Sequence, residues 1–348
     1  MKPRLMELLA CPLCHGDLSL EATASDGEEV MEGRLECLRC RQEYPLTAGV
    51  PRLGPPDLEA EQGKTADAFS YEWGRFVEMH PEYEDQFLDW IHPLQRDYFK
   101  GKLVLDAGCG MGRHTYFAAR YGAREVVGMD LSSAVDSAFR TLAGIPNAHV
   151  VQGDIYRPPF KLGPRGGDFD FVYSIGVLDH LPDPRAGFES LLRFLKPDGT
   201  IFGWVYGHEN NPVVHLFINP VRRVTARVPQ GATLAFSWLL TGVLQAIVKG
   251  VYRPLQGSAI WRHLPSHAYL TTLSRFSFRQ NYNIVFDQLV APTAHYLRRE
   301  AFEAWFAESG LQDIEISWRN QNSWRGRGRR PAPASEQATA SGSRQSQW

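Results

Sequence analysis

Residues 104–114 read VLDAGCGMGRH and join an apolar run to a turn that contains three glycines. The run favours a buried strand, and the glycines favour a tight turn at the start of a helix. Gly108, Gly110 and Gly112 form the pattern G-x-G-x-G, whereas the dinucleotide-binding fingerprint is G-x-G-x-x-G. Because Arg113 occupies the place of the third glycine, the turn favours a ligand without a pyrophosphate. Backbone N–H groups at the helix start are suited to meet a carboxylate instead.

From residue 102 onward, the chain alternates short apolar runs with stretches of helical character. The predicted strands are LVLDAG at 103–108, EVVGMD at 125–130, AHVVQGD at 148–154, FDFVYSI at 169–175 and TIFGWVY at 200–206. The predicted helices lie around 116–119, 132–142, 185–195 and 299–310, and a further strand lies at 314–318. This alternation predicts an α/β fold with a Rossmann-like, doubly wound and mostly parallel sheet.

Three predicted strands end in an aspartate, namely Asp106, Asp130 and Asp154. Asp130 lies 24 positions after Asp106 and is placed to accept both hydroxyls of a ribose, while Asp154 is placed to reach an adenine amino group. Taken alone, each acid is more simply a helix N-cap or a turn residue. Together, at the ends of parallel strands, they predict a site for a nucleoside that carries an amino acid. Cys109 is interpreted as a small packed residue rather than a nucleophile.

The combined motifs resemble the class I S-adenosylmethionine-dependent methyltransferases of the type 11 branch, over residues 65–206 and 299–318. The fourth strand ends in YSIGVLDHLPDP at 173–184, as in that branch. The branch commonly has two histidines in this motif, whereas here Asp179 precedes His180, so only the second histidine matches. The resemblance implies S-adenosylmethionine as cofactor. The cofactor residues expected are Asp106, Gly108, Gly110, Gly112, Asp130, Leu131, Asp154, Ile155, Ser174, Tyr71 and Trp73.

Four of the five cysteines form two Cys-x-x-Cys pairs, Cys11 with Cys14 and Cys37 with Cys40. Four thiolates on two tight turns are typical of a structural zinc site with closed tetrahedral coordination. A redox pair and a ribbon that has lost its metal stay as alternatives. The surrounding residues, LLACPLCHGDL and LECLRCRQEYPLTAGVPRL, resemble the zinc-ribbon family that includes the activator subunit of tRNA and protein methyltransferases. In that resemblance the zinc ion is structural.

These observations divide the chain into six segments. The segments are 1–54 as a zinc ribbon, 55–100 as a linker and N-terminal helical lid, 101–207 as the methyltransferase core, 208–298 as a helical cap insertion, 299–325 as the C-terminal part of the core and 326–348 as a disordered tail. The tail is predicted from its Ala, Ser and Gln bias. The insertion is predicted because it breaks the alternation of strands and helices.

Methyl transfer from a sulfonium is an in-line displacement in which the enzyme aligns the acceptor and excludes water. His180, at the mouth of the fourth strand, is the candidate general base, although a packed or exposed loop histidine fits the same position. Tyr71 and Trp73 are interpreted as a lid over the cofactor, with an amphipathic core helix as the alternative. The candidate acceptor residues are Asp287, His295 and Tyr296. A cap of this kind suits a small, bulky or apolar acceptor.

Two other functions stay open on the sequence. The first is an rRNA or tRNA methyltransferase whose ribbon aids RNA binding, although a formal charge of −2 supplies no general attraction to nucleic acid. The basic cluster RGRGRR at 325–330 lies beside the predicted tail. The second is a non-catalytic, cofactor-binding protein whose ribbon binds a protein partner.

The N-terminus lacks the pattern of a secretory signal, so a cytoplasmic location is predicted. The apolar tract 236–251 has 16 residues and contains Gln245 and Lys249, which is shorter than the ~20 apolar residues that a membrane span needs. We therefore expect no transmembrane segment. The tract is interpreted as a buried or surface-seeking helix, with an interfacial helix near a lipid-like substrate as an alternative.

Overall fold

A computed structural model of the 348-residue chain describes residues 1–55, 57–163, 166–211 and 214–332. The strands are β1 Leu18–Asp26, β2 Glu29–Cys37, β3 Glu43–Thr47, β4 Val50–Leu53, β5 Leu103–Ala107, β6 Glu125–Asp130, β7 Ala148–Gly153, β8 Phe169–Ile175, β9 Leu195–Tyr206, β10 Gln312–Arg319 and β11 Ser323–Arg329. The helices are α1 Ala60–Arg75, α2 Glu82–Trp90, α3 Arg113–Arg120, α4 Val135–Thr141, α5 Pro184–Leu192, α6 Asn219–Thr225, α7 Gln230–Ile247, α8 Arg253–Leu255, α9 His267–Leu273, α10 Phe278–Val290 and α11 Arg299–Glu308.

The strands form one sheet in the order β1-β2-β3-β4-β7-β6-β5-β8-β9-β11-β10. The run from β4 through β9 is parallel, and β11 and β10 add an antiparallel edge. The predicted mostly parallel, doubly wound sheet is confirmed. Its central strands are apolar at nearly every position because helices cover both faces. Strand β5 is buried at all five of its residues.

The N-terminal ribbon continues the sheet of the core. Strand β4 pairs in parallel with β7, with Arg52 opposite Gln152 and Leu53 opposite Gly153. Leu5 and Leu9 of the ribbon are buried in the same apolar cluster as core residues such as Phe160. The ribbon therefore obtains from the core the apolar contacts that its own short sequence does not supply.

The C-terminal boundary of the core lies later than the sequence predicted. Strand β11 runs to Arg329 and pairs with β9 and β10, so placing residues 326–329 in a disordered tail is wrong. The arginines of this strand have acidic partners that stabilise it. Arg327 forms an ion pair with Glu315, and Arg329 forms one with Asp313. The predicted tail from residue 333 to 348 lies outside the described residues.

The insertion at 208–298 is helical in its described parts and lies over the carboxyl ends of the central strands. It contains α6 to α10, two π-helical turns at Val214–Ile218 and Val248–Tyr252, and a 3-10 turn at Trp261–His263. Tyr282 of α10 donates a hydrogen bond to the carbonyl oxygen of Leu234 in α7, which fastens these two helices together. The helical run Gln230–Leu255 is long and apolar enough to cross a membrane, by length and composition alone. The expectation of no transmembrane segment counted only the shorter tract 236–251.

Candidate functional site

A single cavity lies at the carboxyl ends of the parallel strands, where the strand order reverses between β5 and β8. Ligands of open α/β sheets bind at such a reversal because the loops after the two strands diverge there. The cavity is lined from below by the loops after β5, β6, β7 and β8, including Gly108, Asp130, Asp154 and His180. Helices α1, α9 and α10 line it from above.

The glycine turn after β5 forms the floor of this cavity. Gly108 has φ +91° and Gly110 has φ +52°, values in the left-handed region that favours glycine. A Cβ atom at Gly108 would lie 2.3 Å from Val177 Cγ2, and one at Gly110 would lie 3.1 Å from Trp73 Nε1. The absence of side chains therefore lets the backbone reach the cavity. Gly112 does not line the cavity but ends the turn at φ +82°, against Ala138.

Asp106 lies beneath the glycine turn and is buried, outside the lining of the cavity. Thr115 Oγ1 donates a 2.7 Å hydrogen bond to Asp106 Oδ2. Within the described chain, Asp106 Oδ1 is buried without a hydrogen-bond partner. Burial raises the pKa of Asp106 from 3.8 to about 7, although the hydrogen bond from Thr115 acts in the opposite direction.

The raised pKa of Asp106 predicts a pH dependence of stability. The folded chain holds this proton more tightly than the unfolded chain, so this group's contribution to the free energy of unfolding falls as pH rises from 3.8 to about 7. Asp106→Asn imitates the protonated acid, so the variant should not show this loss of stability as pH rises. In denaturant unfolding at a series of pH values, the variant should gain stability relative to the wild type across this window. Asp97→Asn, at an exposed acid, is the control. If the difference in free energy of unfolding between Asp106→Asn and the wild type did not change with pH, the raised pKa of Asp106 would be contradicted.

Asp130 at the end of β6 orients the glycine turn. Its Oδ2 accepts a 2.9 Å hydrogen bond from Gly110 N, and its Oδ1 accepts from Ser132 N and Oγ at 2.9 and 2.6 Å. Burial raises the pKa of Asp130, and the donors from Ser132 and Gly110 lower it. The turn-residue alternative is thus partly correct, since Asp130 accepts from Ser132 in the turn before α4, whereas the N-cap of that helix is Ala134. The carboxylate also lines the cavity, as does the following Leu131.

Asp154, directly after β7, is the third acid of the group and also lines the cavity. Its Oδ1 accepts a 3.0 Å hydrogen bond from Tyr156 N, which is the geometry of an aspartate turn. Burial raises the pKa of Asp154. Ile155 follows and adds an apolar wall to the same end of the cavity. The structure thus brings Asp130 and Asp154 to one cavity, above the buried Asp106.

His180 lies in the 3-10 turn Leu178–His180 after β8 and also lines the cavity. Its Nδ1 is 2.7 Å from the carbonyl oxygen of Thr293. A carbonyl oxygen only accepts, so in the neutral ring Nδ1 carries the hydrogen and Nε2 carries the lone pair. Asp179 Oδ2 lies 4.0 Å from Nε2, and burial raises the pKa of this aspartate. The ring is packed against Phe69 with centroids 5.1 Å apart.

Helix α1 presents one face to the cavity, and only one of the two predicted lid residues lies on that face. Trp73 lines the cavity, whereas Tyr71 packs on the cap with its ring centroid 6.0 Å from that of Phe286. Residues two apart on an α-helix point about 200° apart, so these two side chains do not share a face. The structure therefore places Trp73 at the cavity. Tyr71 packs on the cap instead, which agrees with the alternative interpretation of this segment as an amphipathic core helix.

The upper part of the cavity is formed by aromatic and polar side chains. It includes Trp90, Trp204, Tyr206, Tyr269, Phe276, Gln280, Asn283, Asp287 and Arg319. Of the three predicted acceptor residues, only Asp287 lines it, with Oδ2 3.4 Å from Tyr206 Oη. His295 donates its backbone N–H to the carbonyl oxygen of Asp179, and Tyr296 lies behind Tyr206, so both stay outside the lining. Ser174 is also buried below the cavity, where its hydroxyl donates to Ala107 O.

Sequence reasoning missed three charged residues of the cavity, Glu72, Arg113 and Arg319. Glu72 is fully buried, and its Oε1 accepts a 2.6 Å hydrogen bond from Asn283. Burial raises the pKa of Glu72 well above its usual range, and the charge of Asp287 adds to the effect. Arg319 donates to Asp89 Oδ2 at 2.6 Å through Nε. The periodicity of α1 carried a signal for Glu72, since Gln62, Thr65, Phe69 and Glu72 recur at helical spacing and all line the cavity.

The four cysteines of the ribbon lie together. Their sulfur atoms are all within 4.8 Å of one another, with Cys14 to Cys37 at 3.5 Å and Cys11 to Cys40 at 3.7 Å. Tetrahedral zinc with bonds of about 2.3 Å would set its sulfur ligands roughly 3.8 Å apart. The geometry therefore fits a structural zinc ion held by four thiolates. The fifth cysteine, Cys109, is buried under the glycine turn, as a small packed residue would be.

Residues 105–203 match the methyltransferase domain family, and residues 2–49 match the Trm112p-like protein family. The chain therefore carries a class I methyltransferase domain, whose fold implies S-adenosylmethionine as cofactor, behind a Trm112p-like zinc-ribbon domain. Both resemblances drawn from the sequence are confirmed.

Curated relatives are similar to the chain over parts of its length. The ubiquinone biosynthesis O-methyltransferase of Neisseria meningitidis serogroup C is 28% identical over 165 residues, which are 46% of this chain and 66% of that protein. The protein of the same name from Ralstonia nicotianae is 27% identical over 218 residues, 56% of this chain and 88% of that protein. The chain spans 48% of the length of the Xanthomonas oryzae pv. oryzae relative.

Solved structures are similar to the chain at low overall similarity. A complex between the Haloferax volcanii Trm112 methyltransferase activator and a methyltransferase is 17% identical, with 77% of this chain and 98% of that chain covered and a TM-score of 0.45. Human N-acetylserotonin methyltransferase in complex with S-adenosylmethionine is 12% identical, with 78% of this chain and 57% of that chain covered and a TM-score of 0.42.

Proposed function

We propose that the chain transfers a methyl group from S-adenosylmethionine to a hydroxyl group of a small acceptor with an aromatic or apolar body. The observation that carries this proposal is the continuity of the cavity. It extends from Gly108, Asp130 and Asp154 at the strand ends to His180 and Asp287 under the cap. A cofactor over the strand ends and an acceptor under the cap would therefore share one enclosed space.

The lower part of the cavity fits an amino acid linked to a nucleoside. The backbone at Gly108 and Gly110, with Asp106 below, would hold the amino-acid part, and the buried Oδ1 of Asp106 has no hydrogen-bond partner among the described residues. Asp130 would accept the ribose hydroxyls, and Asp154 with Ile155 would hold the adenine. When bound, S-adenosylmethionine supplies an activated methyl group on a sulfonium. Trp73 and Phe69 of α1 would exclude water from it.

His180 is the proposed proton acceptor. Thr293 O fixes the neutral tautomer with the lone pair on Nε2, so the ring is prepared to take a proton from an acceptor hydroxyl. The carboxyl group of Asp179, 4.0 Å from Nε2, would stabilise the imidazolium that forms. No covalent bond between the enzyme and the acceptor is required, because the methyl group moves in one displacement.

The upper walls favour an acceptor with a flat or apolar body. Trp90, Trp204, Tyr206, Tyr269 and Phe276 offer aromatic surfaces, while Asp287 and Arg319 offer polar groups that would orient the acceptor. Relatives named ubiquinone biosynthesis O-methyltransferases support a hydroxyl as the methylated group. The RNA alternative has less support, because the arginines of the 325–330 cluster bind acidic or carbonyl groups of the protein itself.

The proposal is tested by calorimetric titration with S-adenosylmethionine and by incubation of cell extract with the radiolabelled cofactor. We expect saturable binding, and label in small molecules rather than in RNA or protein. Absence of binding to the folded, zinc-loaded protein would refute the enzyme assignment. Binding without transfer to any fraction would favour the non-catalytic alternative, and label in RNA would favour the RNA alternative.

The role of His180 gives a separate prediction. His180→Asn should lower kcat by about 100-fold or more, since general base catalysis typically contributes 10²–10⁴-fold. The Kd for S-adenosylmethionine should stay within about two-fold of the wild-type value, because the base acts on the acceptor. His263→Asn, at an exposed histidine of the cap, is the matched control. Equal kcat values in both variants would show that His180 is only a packing residue.

A further inference from the structure

Helix α7 has its polar residues turned toward the protein. Thr233, Ser237, Thr241 and Gln245 recur every four residues, so they form one stripe along the helix, and all are buried. The hydroxyls of Ser237 and Thr241 each donate a 2.7 Å hydrogen bond to the carbonyl oxygen four residues earlier. Thr233 donates to Thr225 O in α6. The hydroxyls of Thr233, Ser237 and Thr241 thus form a buried stripe satisfied by backbone carbonyls, while the side-chain amide of Gln245 at its end is buried without a hydrogen-bond partner among the described residues.

The opposite side of α7 is apolar and exposed. Phe236, Leu239, Val243 and Ile247 form it, and 40%, 61%, 60% and 43% of their surfaces are exposed. We call these four residues the outer face of α7. The 18 residues of α7 contain no Asp, Glu, Lys or Arg. A surface helix of a water-soluble protein normally has the reverse arrangement, with apolar residues inward and polar residues outward.

The outer face continues onto the neighbouring segment. Val224 and Val228 are exposed beside α6, and a shallow apolar groove between α6 and α7 joins them to Phe236. Leu216 and Phe217, in the π-helical turn before α6, are among the most exposed apolar side chains of the described chain. Contiguous exposed apolar surface of this kind marks an interaction site.

The charged residues of the insertion that carries this surface are almost all positive. Residues 208–298 contain nine Lys or Arg residues and two acidic residues, although the whole chain has a formal charge of −2. Arg223 and Arg227 are exposed near the start of α7, and Lys249 and Arg253 are exposed just after its end. An apolar strip with cations at both ends complements a bilayer that has anionic headgroups.

We propose that the cap docks on the surface of a membrane containing anionic lipid, with α7 lying in the plane of the interface and its outer face among the acyl chains. The buried hydroxyl stripe and the bond from Tyr282 to Leu234 keep the other side of α7 on the protein, which fits a helix lying flat rather than one that spans. A second copy is a less suitable partner. A two-fold contact would place this cationic surface against itself. The proposal does not depend on methyl transfer.

The test is sedimentation of the full-length, zinc-loaded protein with vesicles of phosphatidylcholine and phosphatidylglycerol in equal parts, against vesicles of phosphatidylcholine alone. We expect partition into the mixed vesicles that weakens with added salt. Leu239→Asp with Val243→Asp should reduce this partition by about ten-fold or more. Lys249→Glu with Arg253→Glu should reduce it by at least about five-fold per residue. Val77→Asp, at an exposed valine between α1 and α2, is the matched control and should bind as the wild type does.

Three results would overturn the proposal. The first is a wild-type protein that stays in the supernatant with both kinds of vesicle. The second is a dimer in analytical ultracentrifugation that Leu239→Asp with Val243→Asp converts to a monomer without any change in vesicle binding, which would make the outer face a contact between copies. The third is protein that stays in the membrane after extraction with alkaline carbonate, which would indicate a spanning helix. Circular dichroism of each variant checks that the exposed substitutions leave the fold intact.

Discussion

Asp130→Ala is expected to weaken the binding of S-adenosylmethionine by about 100-fold or more, since each hydrogen bond to a charged group contributes about 1.5–3 kcal/mol and a ribose would offer two donors. The substitution also releases Gly110 N and Ser132 from the carboxylate that orients them. The glycine turn and the ribose contact would then be lost together. Isothermal titration calorimetry measures the change directly.

Asp130→Asn separates these two effects. The amide retains one oxygen that accepts from Ser132 N and Oγ, but it loses the charge and one acceptor on the side of Gly110. We expect an affinity between those of the wild type and Asp130→Ala. Asp97→Asn, at an exposed aspartate outside the lining of the cavity, should bind within about two-fold of the wild type. An unchanged affinity for Asp130→Ala in a folded protein would remove the ribose assignment.

The central sheet was predictable because its strands carry their own signal. LVLDAG, EVVGMD and FDFVYSI are apolar, rich in β-branched residues and separated by helices, and this pattern belongs to strands covered on both faces. The acids at their ends follow from the same logic, since parallel strands present their carboxyl ends at one edge. The residues proposed to contact a cofactor through the backbone, Gly108 and Gly110, were equally predictable because their spacing is local.

The acceptor side of the cavity was less predictable because it is assembled from distant segments. Glu72 in α1 meets Asn283 in α10, 211 positions away, and Arg319 in β10 bonds to Asp89. No local pattern in the sequence encodes these pairs. His295 and Tyr296 were chosen because they directly precede a helix of the core, but the backbone N–H of His295 bonds to Asp179 O and turns this segment away from the cavity.

The periodicity of the sequence also does not predict which side of α7 is exposed. An apolar tract of this length is equally suited to a buried helix and to one that faces lipid. Only the positions of Thr233, Ser237 and Thr241 against the protein show which side faces outward. The hydroxyl stripe was present in the sequence, but its direction depends on α10.

Removal of zinc is expected to destabilise the whole chain rather than the ribbon alone. Structural zinc contributes about 10–16 kcal/mol to the folding of zinc-finger peptides, which is comparable with the total stability of a typical domain, about 5–15 kcal/mol. Without the ion, the two turns that carry Cys11, Cys14, Cys37 and Cys40 are no longer held together by a shared metal. Strand β4, the last strand of the ribbon, would then lose its support.

The core should respond because β4 protects the edge of β7. Strand β7 leads directly into Asp154, and Leu53 pairs with Gly153 immediately before it. Loss of the ribbon would also expose the apolar cluster that Leu5 and Leu9 share with Phe160. We therefore propose that the Trm112p-like domain supports the cofactor site within its own chain, and that zinc loss weakens cofactor binding as well as folding.

Cys37→Ser tests this coupling, with thermal unfolding, zinc content and calorimetric titration with S-adenosylmethionine as readouts. We expect less than one zinc per chain, a clear fall in Tm and weaker cofactor binding, and a chelator should give the wild type the same behaviour. Cys109→Ala removes the cysteine outside the cluster and should keep its zinc. If Cys37→Ser lost zinc while the Tm of the core and the cofactor Kd stayed at wild-type values, the ribbon would be an independent unit, and its contact along β7 would have no role in forming the site.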